Sequence, residues 1–128
     1  MHTTYTSQKT RKTYFFSLMV MLILLALIAL RPVEAQAASE SDLTFALNND
    51  GKTYRVASCN KAATGELVIP ATYNGSPVII IGEGAFRGCS SLTSVVISEG
   101  MVWIEPYAFA ECTNLAEVKI PNSVTKIC

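Results

Sequence analysis

Residues 81–97 read Ile81-Gly82-Glu83-Gly84-Ala85-Phe86-Arg87-Gly88-Cys89-Ser90-Ser91-Leu92-Thr93-Ser94-Val95-Val96-Ile97. Twenty-three positions further on stands Ile104-Glu105-Pro106-Tyr107-Ala108-Phe109-Ala110-Glu111-Cys112-Thr113-Asn114-Leu115-Ala116-Glu117-Val118-Lys119-Ile120. Ile, Ala, Phe, Cys, Leu, Val and Ile recur in register. A third copy opens with Val124-Thr125-Lys126-Ile127, in line with Met101 to Ile104 and with Val78 to Ile81. A fixed period of this length marks a stacked array, in which each unit buries its apolar edge only against its neighbours.

An earlier partial copy is also present. Glu66-Leu67-Val68-Ile69-Pro70 aligns with Glu117-Val118-Lys119-Ile120-Pro121. From Ile69 to Ile81 is twelve residues, against seven from Ile97 to Ile104 and from Ile120 to Ile127. The surplus falls in Ala71-Thr72-Tyr73-Asn74-Gly75-Ser76-Pro77, where Asn-Gly and Ser-Pro mark a turn, so it reads as a loop insertion.

The pattern A-F-x-x-C-x-x-L-x-x-V-x-I-P-x-x-V-x-x-I resembles the bacterial leucine-rich repeat of the BspA type, also called the Treponema pallidum repeat. The resemblance covers residues 66–128, and Val68 to Val78 resembles the capping segment that opens such domains. Ser98 departs from it, standing where Pro70 and Pro121 stand in the other copies. The resemblance implies a surface-exposed or secreted protein, several members of the family being adhesins that bind host proteins.

Within a unit, Leu92, Val95 and Ile97, then Leu115, Val118 and Ile120, contain an i, i+2 pair, which predicts a short strand with both members inward. Ala-Phe with polar neighbours predicts a helical or 3-10 turn that seats Phe86 and Phe109 in the core, too short to be a stable helix alone. The expected fold is mainly β: a leucine-rich-repeat solenoid of 23-residue coils with short turns. Strand spacing of about 4.8 Å would set equivalent residues in columns. Phe86 is expected over Phe109, Leu92 over Leu115, and Ile69, Ile97 and Ile120 in line. Outward columns would be Glu66, Ser94, Glu117 and Val68, Val96, Lys119. That mixed strip is the candidate binding surface, an ordinary solvated sheet face being the competing reading. Trp103 and Tyr107 join the candidates, because their counterparts Ile80 and Gly84 show that the core pattern demands neither.

Upstream, Leu43 to Leu47 and Lys52 to Val56 flank Asn48-Asn49-Asp50-Gly51, which predicts a β-hairpin with an Asp-Gly turn covering the first coil's open edge. The expected organisation is an export signal over 1–37, an N-terminal segment and hairpin cap over 38–65, and repeats over 66–128. Lys9, Arg11 and Lys12 precede an uncharged apolar run over residues 15–30, and Ala35-Gln36-Ala37 follows it. Basic head, apolar middle and A-x-A exit make a secretory signal with cleavage expected after Ala37. A run of sixteen residues, Ser17 among them, falls short of the roughly 20 that span a bilayer, so membrane attachment would require the segment to stay uncleaved.

That division changes the composition. The whole chain has ten basic and ten acidic residues and is 50% hydrophobic. Removing Lys9, Arg11, Lys12, Arg31 and Glu34 leaves six basic and nine acidic residues, a net charge of −3 on residues 38–128. Nucleic acid is not an expected partner of so acidic a chain. His2, the only histidine, leaves with the signal, and with it Ser-His, Cys-His and His-metal chemistry. No C-x-x-C occurs. Cys89 and Cys112 share a repeat position that in leucine-rich repeats takes Asn or Cys facing inward, and stacking sets their Cβ vectors parallel, poor disulfide geometry. Two buried thiols are expected. Cys59 lies before the array and Cys128 in the column of Gly82 and Glu105, which leaves a bridge between them open.

Glu83, Glu99, Glu105, Glu111 and Glu117 are dispersed by the repeat without an acid–base partner. Asn74-Gly75-Ser76 matches a glycosylation acceptor, but Pro77 follows and the turn accounts for it. Gly82-x-Gly84 has no following helix and is no nucleotide loop. Neither a catalytic residue nor a bound metal or cofactor is expected. The sequence therefore predicts a non-enzymatic, adhesin-like module engaging a protein or a glycan. An alternative is the N-terminal piece of a longer repeat protein with the binding function downstream. Self-association through an uncapped last coil is expected of the chain on its own.

Overall fold

The computed structural model describes residues 17–23 and 37–128. The chain forms two compact units, Met1–Glu34 and Ala35–Cys128. In the first, residues 17–23 are an exposed helical stretch of the apolar run. Among the described residues no helix is long and apolar enough to cross a membrane. The basic head of the expected signal and Ala35-Gln36 of its exit lie outside the described residues.

The second unit is a β-solenoid. A 3-10 turn at Glu40–Asp42 precedes β1 (Leu43–Leu47), β2 (Tyr54–Cys59), β3 (Gly65–Ile69), β4 (Thr72–Tyr73), β5 (Ser76–Ile81), β6 (Leu92–Ile97), β7 (Trp103–Ile104), β8 (Glu117–Lys119) and β9 (Lys126–Ile127). Two sheets result. The larger runs β1-β2-β5-β7-β9 with β4 beside β5, and the smaller runs β3-β6-β8. Apart from the β1–β2 and β4–β5 hairpins every pairing is parallel, because each coil travels the same way round.

The sequence columns are real registers. In the smaller sheet Leu67 pairs with Val95 and Val95 with Val118; Ile69 pairs with Ile97. In the larger, Ile81 pairs with Ile104 and Ile104 with Ile127. Leu67, Ile69, Ile81, Leu92 and Val95 are buried, as is Phe86. Phe86 stacks on Phe109 with ring centroids 5.0 Å apart and planes 13° apart. Burial fades along the array. Phe109, Cys112, Leu115 and Val118 are only partly buried, and Ile120, expected in the core, is 46% exposed. The cause is one-sided packing, since no described residue stacks beneath the last coil.

The Phe86 turn winds no continuous helix. Ala85, Arg87 and Cys89 donate their N–H groups three residues back, to Gly82, Gly84 and Phe86. The N–H groups between them, at Gly84, Phe86 and Gly88, donate instead to Pro106, Ala108 and Ala110 of the next coil. Alternate donors thus close the turn and bind the stack, so even the irregular edge obeys the repeat.

Two expectations are corrected at the N-terminal end. The hairpin forms with its Asp-Gly turn, the Gly51 N–H donating to Asn48 at 3.0 Å inside the loop Asn48–Thr53, where the Asp50 carboxylate accepts from the Lys52 and Thr53 N–H groups and the Thr53 hydroxyl. Its second strand extends to Cys59 and pairs in parallel with β5, so the cap is the sheet's own outermost strands. The insertion after Ile69 is likewise no plain loop. β4 and β5 form a hairpin across Asn74-Gly75, both left-handed (φ 48 and 76), which carries Tyr73 onto Phe45 at 4.2 Å and Tyr54 at 5.1 Å.

One-sided packing of the last coil gives a graded response to truncation. Ile97→Ala is expected to cost about 2–4 kcal/mol in urea unfolding, and Ile120→Ala, in the same repeat position, under about 1 kcal/mol.

Candidate functional site

The smaller sheet's outer face is built by alternation. Val95 and Ile97 point into the core, which turns Ser94 and Val96 outward. Register then sets Glu66, Ser94 and Glu117 in one column and Val68, Val96 and Lys119 in the next. Glu66, Glu117 and Lys119 are exposed, Val68 is 50% exposed, and Ser94 and Val96 are half-buried. The Ser94 hydroxyl is shielded and without a partner among the described residues. The six residues proposed from sequence thus come together on one strip of two carboxylates, one ammonium, one hydroxyl and two valines.

Trp103 and Tyr107 do not join that strip. Trp103 lies on the larger sheet, paired with Ile80 and Lys126, half-buried, with the Lys126 ammonium 4.0 Å from its ring centroid. Tyr107 sits in a turn, 69% exposed, at φ 57, where the preceding coil has Gly84 at φ 60. Glu111 repeats the pattern, at φ 61 in the place of Gly88 at φ 75. Left-handed backbone costs a side-chain-bearing residue about 1 kcal/mol, so this turn displays Tyr and Glu at a conformational cost. Glu111 recovers part of it by accepting from Arg87 Nη2 at 2.6 Å and Nε at 3.0 Å across the coil boundary, and its carboxylate pushes the guanidinium pKa up.

The cysteines form a third feature. All four are free thiols. Cys89 and Cys112 share their repeat position, and Cys59 lies in the coil before them. The Cys59 N–H donates to Ala85 at 2.8 Å, and the Cys89 thiol lies 3.9 Å from the Cys59 carbonyl. The Phe86 N–H donates likewise to Ala108, so Cys59 stands where the next coil has Phe86 and outside the Cys89–Cys112 column. The Cys112 thiol donates to the Phe86 carbonyl at 3.0 Å. Burial, then the neighbouring Cys89, pushes the Cys59 thiol up to about 12; burial raises Cys89 and Cys112 too. Thiols so protonated are poor nucleophiles and poor metal ligands. Among the described residues no three His, Cys, Asp or Glu side chains converge as a metal site. A cavity of about 200 Å³, lined by Ser39, Ser41, Asp42 and Ala62–Thr64, lies beside Ala37, away from both outer faces.

A sequence model of the BspA type leucine-rich repeat region (6 copies) matches residues 60–128, more than half of the chain. The chain belongs to the BspA-type leucine-rich repeat family. Two solved structures are similar. A leucine-rich repeat protein of T. pallidum is 26% identical with a TM-score of 0.65, covering 72% of this chain and 42% of its own. One from Bacteroides capillosus is 26% identical with a TM-score of 0.55, covering 68% of this chain and 83% of its own. The chain therefore spans less than half the length of the T. pallidum protein. No curated protein matches it. The BspA-type assignment accounts for the Cys position, which the inward column of thiols occupies.

Two measurements probe these features. Tyr107→Gly is expected to raise unfolding free energy by about 1 kcal/mol, because it relieves a left-handed tyrosine. The thiols make stability pH-dependent. Cys59 is protonated in both states below its ordinary value of about 9, so the full stability is present there; above it the unfolded thiol ionises first, and stability falls as pH rises from about 9 towards about 12. The urea midpoint should decline over that window, and less steeply in Cys59→Ala.

Proposed function

We propose that this chain is an exported binding protein, secreted or held at the cell surface, that engages a protein partner in an adhesin-like manner through the outer face of β3, β6 and β8. The observation that carries the reading is the register of Glu66, Ser94 and Glu117 beside Val68, Val96 and Lys119. A row of exposed valine flanked by fixed charges offers apolar contact with electrostatic selection around it, and the parallel sheet holds both rigid before contact. Ser94 stands between Glu66 and Glu117 in their column and spaces the two carboxylates. Repeat families of this kind are typically non-enzymatic. Export is supported by the pattern over residues 9–37 and by the compact unit that begins at Ala35, beside the expected cleavage position.

The test is capture of proteins from host extracellular matrix by the full chain, compared with Val96→Lys and with Glu66→Lys/Glu117→Lys. Each variant is expected to weaken capture by about tenfold or more with unchanged unfolding midpoints. Capture undiminished in both would remove the sheet face from the reading.

A second reading rests on the underside of the last coil. Ile120 and Ile127 are 46% and 61% exposed, and the N–H groups of Tyr107, Phe109 and Glu111, whose counterparts one coil earlier donate onward, have no partner among the described residues. This favours a stacking surface for a further coil of a longer repeat protein or for a second copy. Sedimentation velocity decides for the chain alone: association is expected, and Ile120→Lys/Ile127→Lys should abolish it.

A further inference from the structure

We propose that the outer face of the larger sheet is a separate binding strip for an acidic polysaccharide, one whose pyranose rings carry carboxylates. Parallel register brings one residue from each of four neighbouring strands into a single row: Arg55 of β2 pairs with Ile80 of β5, Ile80 with Trp103 of β7, and Trp103 with Lys126 of β9. Their chain neighbours Val56, Ile81 and Ile104 are buried at 0%, 0% and 4%, which fixes the row on the side away from the core. The row reads cation, aliphatic, aromatic, cation, and three strand intervals separate the Arg55 and Lys126 backbones by about 14 Å.

The charges are free to act. Arg55 and Lys126 are exposed and make no ion pair among the described residues. The acid nearest in register, Glu105, is committed to the Glu83 N–H at 2.8 Å. In an otherwise acidic unit this row is a local basic exception, and the acids Glu66 and Glu117 belong to the other sheet. Charge complementarity calls for an anionic occupant.

What the row offers between its cations selects the class. β5 and β7 are interior strands with partners on both sides, so a peptide cannot add to them as a further strand. Nucleic acid needs a continuous basic groove with several stacking rings, and the row has one tryptophan and two separated cations. A uronic-acid polymer matches each part. Its ring C–H faces lie on Trp103 and Ile80, and its carboxylates meet Arg55 and Lys126. The Lys126 ammonium over the ring is a weak exposed contact that a carboxylate replaces, opening the ring face.

Trp103 is the single tryptophan of the chain, so its emission reports on the row directly. The full chain, kept dispersed in mild non-ionic detergent, is titrated with polygalacturonate at low ionic strength. A saturable change in emission is expected, weakened about tenfold by Arg55→Gln or Lys126→Gln and weakened further by added salt. Neutral dextran should give no change. Both variants alter exposed side chains, and far-UV circular dichroism checks that they fold. No saturable change, a change indifferent to both substitutions, equal binding of dextran, or tighter binding of polyglutamate or oligothymidylate would each overturn the proposal. Glu66→Lys/Glu117→Lys should leave the titration intact, so failure of the protein-binding face and failure of this strip are told apart.

Discussion

Everything in this molecule depends on parallel backbone pairing between one coil and the next. Successive strands lie about 4.8 Å apart, and that spacing admits only one way for side chains to meet: like over like. A position that faces inward in one coil faces inward in its neighbour, and outward positions stand in rows. The turns obey the same constraint, since Gly84, Phe86 and Gly88 send their N–H groups to the following coil and not along a helix. Core, outer faces and thiol column are three expressions of a single register.

This is why the architecture could be read from residues alone. The 23-residue recurrence of Ala, Phe, Cys, Leu, Val and Ile states which side chains stack, and Phe86 on Phe109 and Val95 on Val118 follow from it. Legibility failed where the period breaks. Cys59 takes the place of Phe86 one coil earlier, but 27 residues separate the two where 23 separate Phe86 from Phe109, and the broken period hides the alignment. The Asn74-Gly75 segment is recognisable as a turn, yet nothing local says that it carries Tyr73 across to Phe45 and Tyr54. Asp50-Gly51 marks the hairpin turn correctly, but does not say that the Asp50 carboxylate gathers three donors and organises the loop on to Thr53.

The candidate surfaces were legible to different degrees for the same reason. Glu66, Ser94 and Glu117 can be aligned by counting, so their row was visible. Trp103 could be marked as surplus to the core, but its setting could not be read: Arg55 comes from the hairpin, outside the repeat, and reaches the row only because β2 pairs in parallel with β5. Tyr107 was visible as an aromatic in a glycine's place, while its left-handed backbone is a property of the turn that only coordinates reveal.

The gradient of burial from Val56 and Leu67 to Ile120 and Ile127 has a consequence for how the protein comes apart. Each coil touches only its immediate neighbours, so cooperativity is passed along the stack and not shared through one centre. The last coil is less buried than the interior ones and should open first, with β8 and β9 exchanging their amide hydrogens well before β2 and β5. Unfolding would then proceed as a peeling from one end, and the molecule would have a direction of failure as definite as the direction of its chain.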